Sequence, residues 1–122
     1  MEHTEGFLKI TDDAKTRVRE IDVACALERL KAGARLVDVR EDNEWARGHA
    51  QGAMHMGRGV IERDIETAIP DRSTELILYC GGGYRSALAA DSLQRMGYTN
   101  VNSLAGGWRA WKEAGAKIEG EE

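Results

Sequence analysis

Proline and phenylalanine occur once each in the 122 residues, and cysteine only twice. One proline beside 14 glycines excludes a linker-rich or disordered chain and leaves glycine to make the turns and close backbone approaches. Cys25 and Cys80 lie too far apart in the chain to form a CxxC pair, and two thiols make no disulfide framework, so each is judged by its own surroundings. No window approaches the roughly 20 apolar residues of a membrane span, so no membrane partner is expected. The start, Met1 to Lys15, is polar and acidic where a secretory leader needs a basic end and an apolar run, which points to a cytoplasmic protein. Basic side chains are in the minority, 17 against 21 acidic ones for a net charge of -4, and nowhere do they gather as a phosphate backbone would require. Nucleic acid is therefore not an expected partner.

What is present suits one globular domain of 13.5 kDa, with 42% hydrophobic and 31% charged residues. A chain of this length buries roughly two-thirds of its unfolded surface and needs no staples. Residues 1–18 lack sustained apolar periodicity and read as an N-terminal appendage, with a short helix over Asp12 to Val18; residues 19–122 read as the domain. Ile21 to Val23 is a short strand or helix lead-in, and Asp22 caps a helix through Leu30 with Val23, Ala26, Leu27 and Leu30 on its apolar face. Arg35 to Val39 reads as a strand, Asn43 to Arg47 as a helical turn and Ala53 to Met56 as a weak strand. Val60, Ile61, Ile65, Ala68 and Ile69 recur at helical spacing.

Leu76 to Tyr79 is a continuous apolar run, as in a strand covered on both faces; Arg85 to Met96 then reads as a helix closed by Gly97. Asn100 to Leu104 supplies a last strand and Trp108 to Glu113 a last helix. Five strands alternating with helices over short connections imply a three-layer α/β domain, its mostly parallel, about five-stranded central sheet flanked by helices on both faces.

Chemistry concentrates after the apolar strand, in Cys80-Gly81-Gly82-Gly83-Tyr84-Arg85-Ser86. The carboxyl end of a buried strand is where open α/β sheets place ligands. Three glycines allow successive N–H groups to turn inward as an anion-binding nest around the sulfur. The following helix aims its positive end at the same point, and Arg85 adds a permanent charge. All three effects favour thiolate over thiol and make Cys80 a nucleophile. A cysteine at a strand end is otherwise a small buried hydrophobe and a glycine run only a turn, but the two together, opening a helix with Arg85 and Ser86, point to a catalytic or anion-binding loop.

At these residues the sequence resembles the rhodanese-like sulfurtransferases, in particular the single-domain members. The resemblance runs from about Ile21 to Gly115. It rests on Leu36-Val37-Asp38-Val39-Arg40-Glu41 with Glu44 and Gly48-His49-Ala50-Gln51-Gly52-Ala53, on the loop Cys80 to Ser86, and on Gly106-Gly107-Trp108-Arg109-Ala110-Trp111. It implies that Cys80 takes a sulfane sulfur from a small donor such as thiosulfate or a persulfide and holds it as a persulfide. Cys80 would then pass it to cyanide, to a thiol, or to a protein partner in a sulfur relay. Asp38 and Arg40, at the end of an inner strand, would support the loop. No metal or other cofactor is implied. Two departures stand out: Gln51 replaces the usual proline, and glycines stand at 81, 82 and 83 where thiosulfate-specialised members often carry cations. Tyr84-Arg85 departs from the Thr-ended loop of mercaptopyruvate-type members.

Cysteine phosphatases and arsenate reductases share the logic of a thiolate on an anion-binding loop, but separate Cys from Arg by five residues where Cys80 and Arg85 are separated by four. A non-catalytic rhodanese-type docking module is the other alternative, and the intact Cys80 counts against it. Cys25 falls on the apolar side of a helix and reads as structural. His49 and His55 lack a ligand cluster and read as turn and core residues, and Trp108 and Trp111 as core anchors. Tyr84 is either a mobile rim residue or a residue that sorts acceptors.

Overall fold

The computed structural model describes residues 3–120. Its centre is β5 (Leu76–Tyr79), all four residues buried. It is flanked by β2 (Arg35–Asp38) and β6 (Val101–Leu104), with β4 (Met54–His55) beyond β2 and β1 (Arg19–Ile21) beyond β6. Every pairing in the order β1-β6-β5-β2-β4 is parallel, so all five strands bring their carboxyl ends to one edge. The register sets Asp38 beside Tyr79 and Leu78 beside Ser103, next to the point where the chain leaves β5 at Cys80.

A strand's side chains alternate between faces, and here the alternation builds two cores. Leu76, Leu78 and Cys80 join Val37 and Val39 in one core, with Ile61 and Ile65 of α4 (Ile61–Ala68) and Ala89, Ala90 and Leu93 of α5 (Arg85–Arg95). Ile77 and Tyr79 join Leu36 and Leu104 in the other, with Val23 and Ala26 of α2 (Val23–Lys31) and Trp108 and Trp111 of α6 (Gly107–Glu113). Each large aliphatic side chain so buried contributes about 1.5–3 kcal/mol before entropy is counted. The expected three-layer α/β architecture with five parallel strands is thus the observed one. Asp22 caps α2 through Oδ1, which accepts from the Cys25 N–H at 2.8 Å. Leu27, expected on the apolar face, is 37% exposed.

The N-terminal segment holds a longer and earlier helix than Asp12 to Val18: α1 (Glu5–Lys15) packs against α5 and buries Thr11 and Ala14. A buried stripe of one small and one polar residue leaves no trace in hydrophobic periodicity. Just past α1, Arg17 grips Asp91 of α5 at 2.8 and 3.0 Å. A helical turn, α3 (Asp42–Ala46), is closed by a capping box between Glu41 and Glu44. Beside the main sheet, β3 (His49–Ala50) pairs antiparallel with β7 (Ile118–Glu119); strands of two residues carry no period to read.

Candidate active site

Cys80 is 1% exposed, yet it borders a cavity of about 730 Å³ at the carboxyl edge of the sheet. The Gly83 N–H donates to Sγ at 3.1 Å, and Ser86 Oγ lies 3.5 Å from it. Ser86 Oγ is in turn 2.8 Å from Ser103 Oγ, and both hydroxyls are fully buried. As a thiol Cys80 donates to Ser86 Oγ; were the sulfur a thiolate, Ser86 would donate to it and accept from Ser103, so in either case a two-hydroxyl chain from β6 ends on Sγ.

The loop's carbonyls are turned the other way. Cys80 C=O accepts from the Trp108 N–H at 2.7 Å and Gly81 C=O from the Arg109 N–H at 3.3 Å, which ties the loop to the first turn of α6. That approach is close enough to demand glycine at 107: φ is +51°, and a Cβ there would lie 2.2 Å from the Cys80 carbonyl oxygen. Among the described residues, none accepts a hydrogen bond from the amides of Gly81, Gly82, Tyr84 or Arg85. Of the three loop glycines only Gly83 has positive φ, at +100°, while a Cβ on Gly82 would meet nothing nearer than the Tyr84 ring at 3.7 Å. Fixed carbonyls pointing away and unbonded amides at the start of α5 constitute an environment suited to an anion.

Arg85 does not stand as a free charge beside the sulfur. Its guanidinium forms a two-pronged pair with Glu44 at 2.8 and 3.1 Å. The Arg85 hydrogen bond holds the Glu44 carboxyl below the usual carboxylate range, and the same bond keeps Arg85 firmly charged. Glu44 thus connects α3 to the loop, a role its place in the sequence motif did not reveal.

Asp38 and Arg40 form a buried pair, with Arg40 Nη2 2.9 Å from Asp38 Oδ2 and also donating to the Gly48 carbonyl at 2.7 Å. Tyr79 donates its hydroxyl to Asp38 at 2.6 Å and accepts from the Ala50 N–H at 3.0 Å. Burial, then the Asp38 carboxylate, push the Tyr79 phenol far up, so it remains a donor. Among the described residues neither Asp38 nor Arg40 bonds residues 81–86. They reach Cys80 through its chain neighbour Tyr79 and through Trp108, over whose ring the guanidinium sits at 4.7 Å.

Cys25 packs against the core on the opposite face of the sheet from Cys80. His49 and His55 flank the Trp45 ring, at 3.4 and 4.8 Å between centroids, and bond backbone carbonyls. Among the described residues no group of three or more His, Cys, Asp or Glu is placed to hold a metal, and no helix is long and apolar enough to cross a membrane. Tyr84 lies tilted beside His3 and Phe7, at 4.3 and 6.2 Å between centroids, with the Lys15 ammonium 4.2 Å over its ring. Ser103 and the α1 residues were not singled out from sequence, and Glu44 was noted there only as part of a motif. Of these only Ser103 left a signal there, a polar residue inside a buried strand.

A family model, the Rhodanese-like domain, matches residues 22–114. The thiosulfate sulfurtransferase GlpE of Haemophilus influenzae is 34% identical over 101 residues, 83% of this chain and 94% of that protein. The protein HIGH ARSENIC CONTENT 1, mitochondrial, of Arabidopsis thaliana is 34% identical over 127 residues, 93% of this chain and 75% of that protein. A solved structure from Rhodopseudomonas palustris, of a protein of unknown function described as a possible tyrosine phosphatase, superposes with a TM-score of 0.81 at 32% identity, covering 98% of each chain.

Proposed function

Because the chain belongs to the rhodanese-like domain family, we propose that it is a sulfurtransferase whose Cys80 accepts a sulfane sulfur from thiosulfate or a persulfide and delivers it to a thiophilic acceptor. The observation that carries this reading is the sulfur's setting: one loop amide already donates to Sγ at 3.1 Å, and the neighbouring amides have no acceptor among the described residues.

In the first half-reaction the Cys80 thiolate attacks the outer sulfur of thiosulfate. A new S–S bond forms, and sulfite leaves with the electron pair of the old one. In the second, a nucleophilic acceptor such as cyanide or a thiolate attacks the outer sulfur of the Cys80 persulfide, and the pair returns to Sγ. The Gly83 N–H that donates to the sulfur would stabilise the anion at each stage, and a thiolate that attacks directly needs no separate base. The cycle is written without a metal or other cofactor. The acceptor is either a small molecule or a protein partner in a sulfur relay.

A phosphatase reading has the Rhodopseudomonas neighbour's description behind it. Two features favour sulfur: the spacing from Cys80 to Arg85 is one residue shorter than the phosphatase pattern, and Arg85 is engaged by Glu44. Intact mass after incubation with thiosulfate decides the matter. The expected result is a gain of one sulfur that a reductant removes, lost in Cys80→Ser and kept in Cys25→Ser. Phosphate-ester hydrolysis without sulfur loading would replace the proposal with the phosphatase reading, and neither activity would leave a docking module.

A further inference from the structure

The cavity beside Cys80 is much larger than the proposed inorganic substrates require. At about 730 Å³ it lies within the range that receives organic ligands of a few hundred daltons, whereas a water molecule's share of liquid volume is about 30 Å³ and cyanide is scarcely larger. Part of its wall comes from outside residues 22–114, the span matched by the family model: His3 and Phe7 line it together with Tyr84. The three rings form one tilted cluster, with His3 and Phe7 5.2 Å apart, and all three are partly exposed.

The wall is also held in place. Lys15 caps the Tyr84 ring, while Arg17 grips Asp91 and accepts from the Gln94 amide through its carbonyl at 3.1 Å, fixing the end of α1 to α5. Charge completes the pattern. Of the two arginines lining the cavity, Arg85 is neutralised by Glu44, while Arg109 is exposed and has no carboxylate partner among the described residues.

We propose that His3 and α1 complete an acceptor subsite, in which the His3, Phe7 and Tyr84 rings receive the organic body of a thiol and Arg109 receives its carboxylate. The subsite rests on the sulfurtransferase reading and gives it a substrate class: organic thiols bearing a carboxylate are preferred over bare inorganic acceptors. The acceptor's thiolate attacks the outer sulfur of the Cys80 persulfide. One S–S bond forms, one breaks, the electron pair returns to Sγ, and the acceptor departs as a persulfide with no net oxidation or reduction. His3, Phe7 and Arg109 are specificity residues here, since none lies on the path of the transferred sulfur.

The test uses the full chain and three acceptors: 4-mercaptobenzoate, neutral 2-mercaptoethanol and cyanide. Sulfur loading of Cys80 is first confirmed by intact mass, and kcat/KM is then measured for each acceptor. Phe7→Ala is expected to lower the ratio of mercaptobenzoate to cyanide efficiency about tenfold, the effect of losing one well-placed aromatic contact. Phe7→Leu, which keeps apolar bulk for packing, should fall between. Arg109→Gln should lower the ratio of mercaptobenzoate to 2-mercaptoethanol efficiency by a similar factor. Ratios that stay within about twofold of wild type in all three variants would overturn the subsite, since the contacts would then contribute less than about 0.5 kcal/mol. A wild-type chain that never loads sulfur overturns the sulfurtransferase reading itself, and the subsite with it.

Discussion

Replacing Gly107 by alanine tests the joint between the Cys80 loop and α6. The residue sits at φ +51°, and the added Cβ would fall 2.2 Å from the Cys80 carbonyl oxygen and 3.0 Å from the carbonyl carbons of Cys80 and Gly81. All three neighbours are backbone, so no side chain can swing aside. A carbon and an oxygen in contact need about 3.3 Å, and the loop or the helix must therefore retreat by roughly 1 Å. That retreat stretches the 2.7 Å bond from the Trp108 N–H to the Cys80 carbonyl beyond hydrogen-bonding range. The left-handed conformation costs a residue with a side chain about 1–2 kcal/mol, and a buried carbonyl stripped of its donor about 1–3 kcal/mol. We expect a destabilisation of about 2–5 kcal/mol by urea unfolding, with the slope m unchanged. Sulfur loading of the fraction that remains folded should fall as well, because the loop carrying Cys80 is the element displaced. Gly82→Ala, whose Cβ has 3.7 Å of clearance, is the matched control and should unfold close to wild type. If Gly107→Ala were within about 0.5 kcal/mol of wild type and loaded sulfur normally, the joint would not hold the loop as argued.

Ser103→Ala should slow alkylation of Cys80 by iodoacetamide roughly fivefold, as Ser86 loses its 2.8 Å partner and about 1 kcal/mol of support for the thiolate. Ser103→Thr should restore most of the rate, and an unchanged rate in the alanine variant would refute the hydroxyl chain. The Glu44 prediction concerns acid. Its folded value lies below the unfolded one, first because of the Arg85 hydrogen bond, so the pair's contribution is complete above the unfolded carboxylate value of about 4.3 and is lost as pH falls through the folded one. Wild type and Glu44→Gln should differ by at most about 1 kcal/mol at neutral pH and converge below about pH 4. A gap in unfolding free energy that widens on acidification would contradict the sign.

The parts of the fold that were legible in sequence are those in which burial imposes a period. Leu76 to Tyr79, apolar on both faces, is the central strand, and the spacing of Ile61, Ile65 and Ala68 belongs to a helix. Asp22 and Gly97 were readable because capping and positive φ each demand a narrow set of residues. Obscure elements lacked such a demand. α1 buries Thr11 and Ala14 and is held by an ion pair to Asp91, a partner remote in the chain, while β3 and β7 owe their pairing wholly to each other. At the site, Arg85 was readable as a cation, but not that Glu44 would claim it, because an ion pair between α3 and α5 exists only once both are folded. The Gly106-Gly107 motif was visible as a pattern, but its reason, the carbonyl of Cys80, is a contact with another part of the chain.

If Cys80 carries sulfur as proposed, its near-complete burial would make the two sulfurs of the loaded site unequal. Only 1% of the residue faces solvent, so the resting thiol is shielded from oxidants and from casual exchange with other disulfides. A second sulfur bonded to it would stand about 2 Å from Sγ, and the space open to it is the cavity that Cys80 lines. The atom to be given away would then be the accessible one, while the atom that must survive each proposed turnover would stay recessed. An attacking thiolate that struck the inner sulfur would trap the protein as a mixed disulfide, and the recess disfavours that geometry. On the sulfurtransferase reading, depth would thus distinguish cargo from carrier.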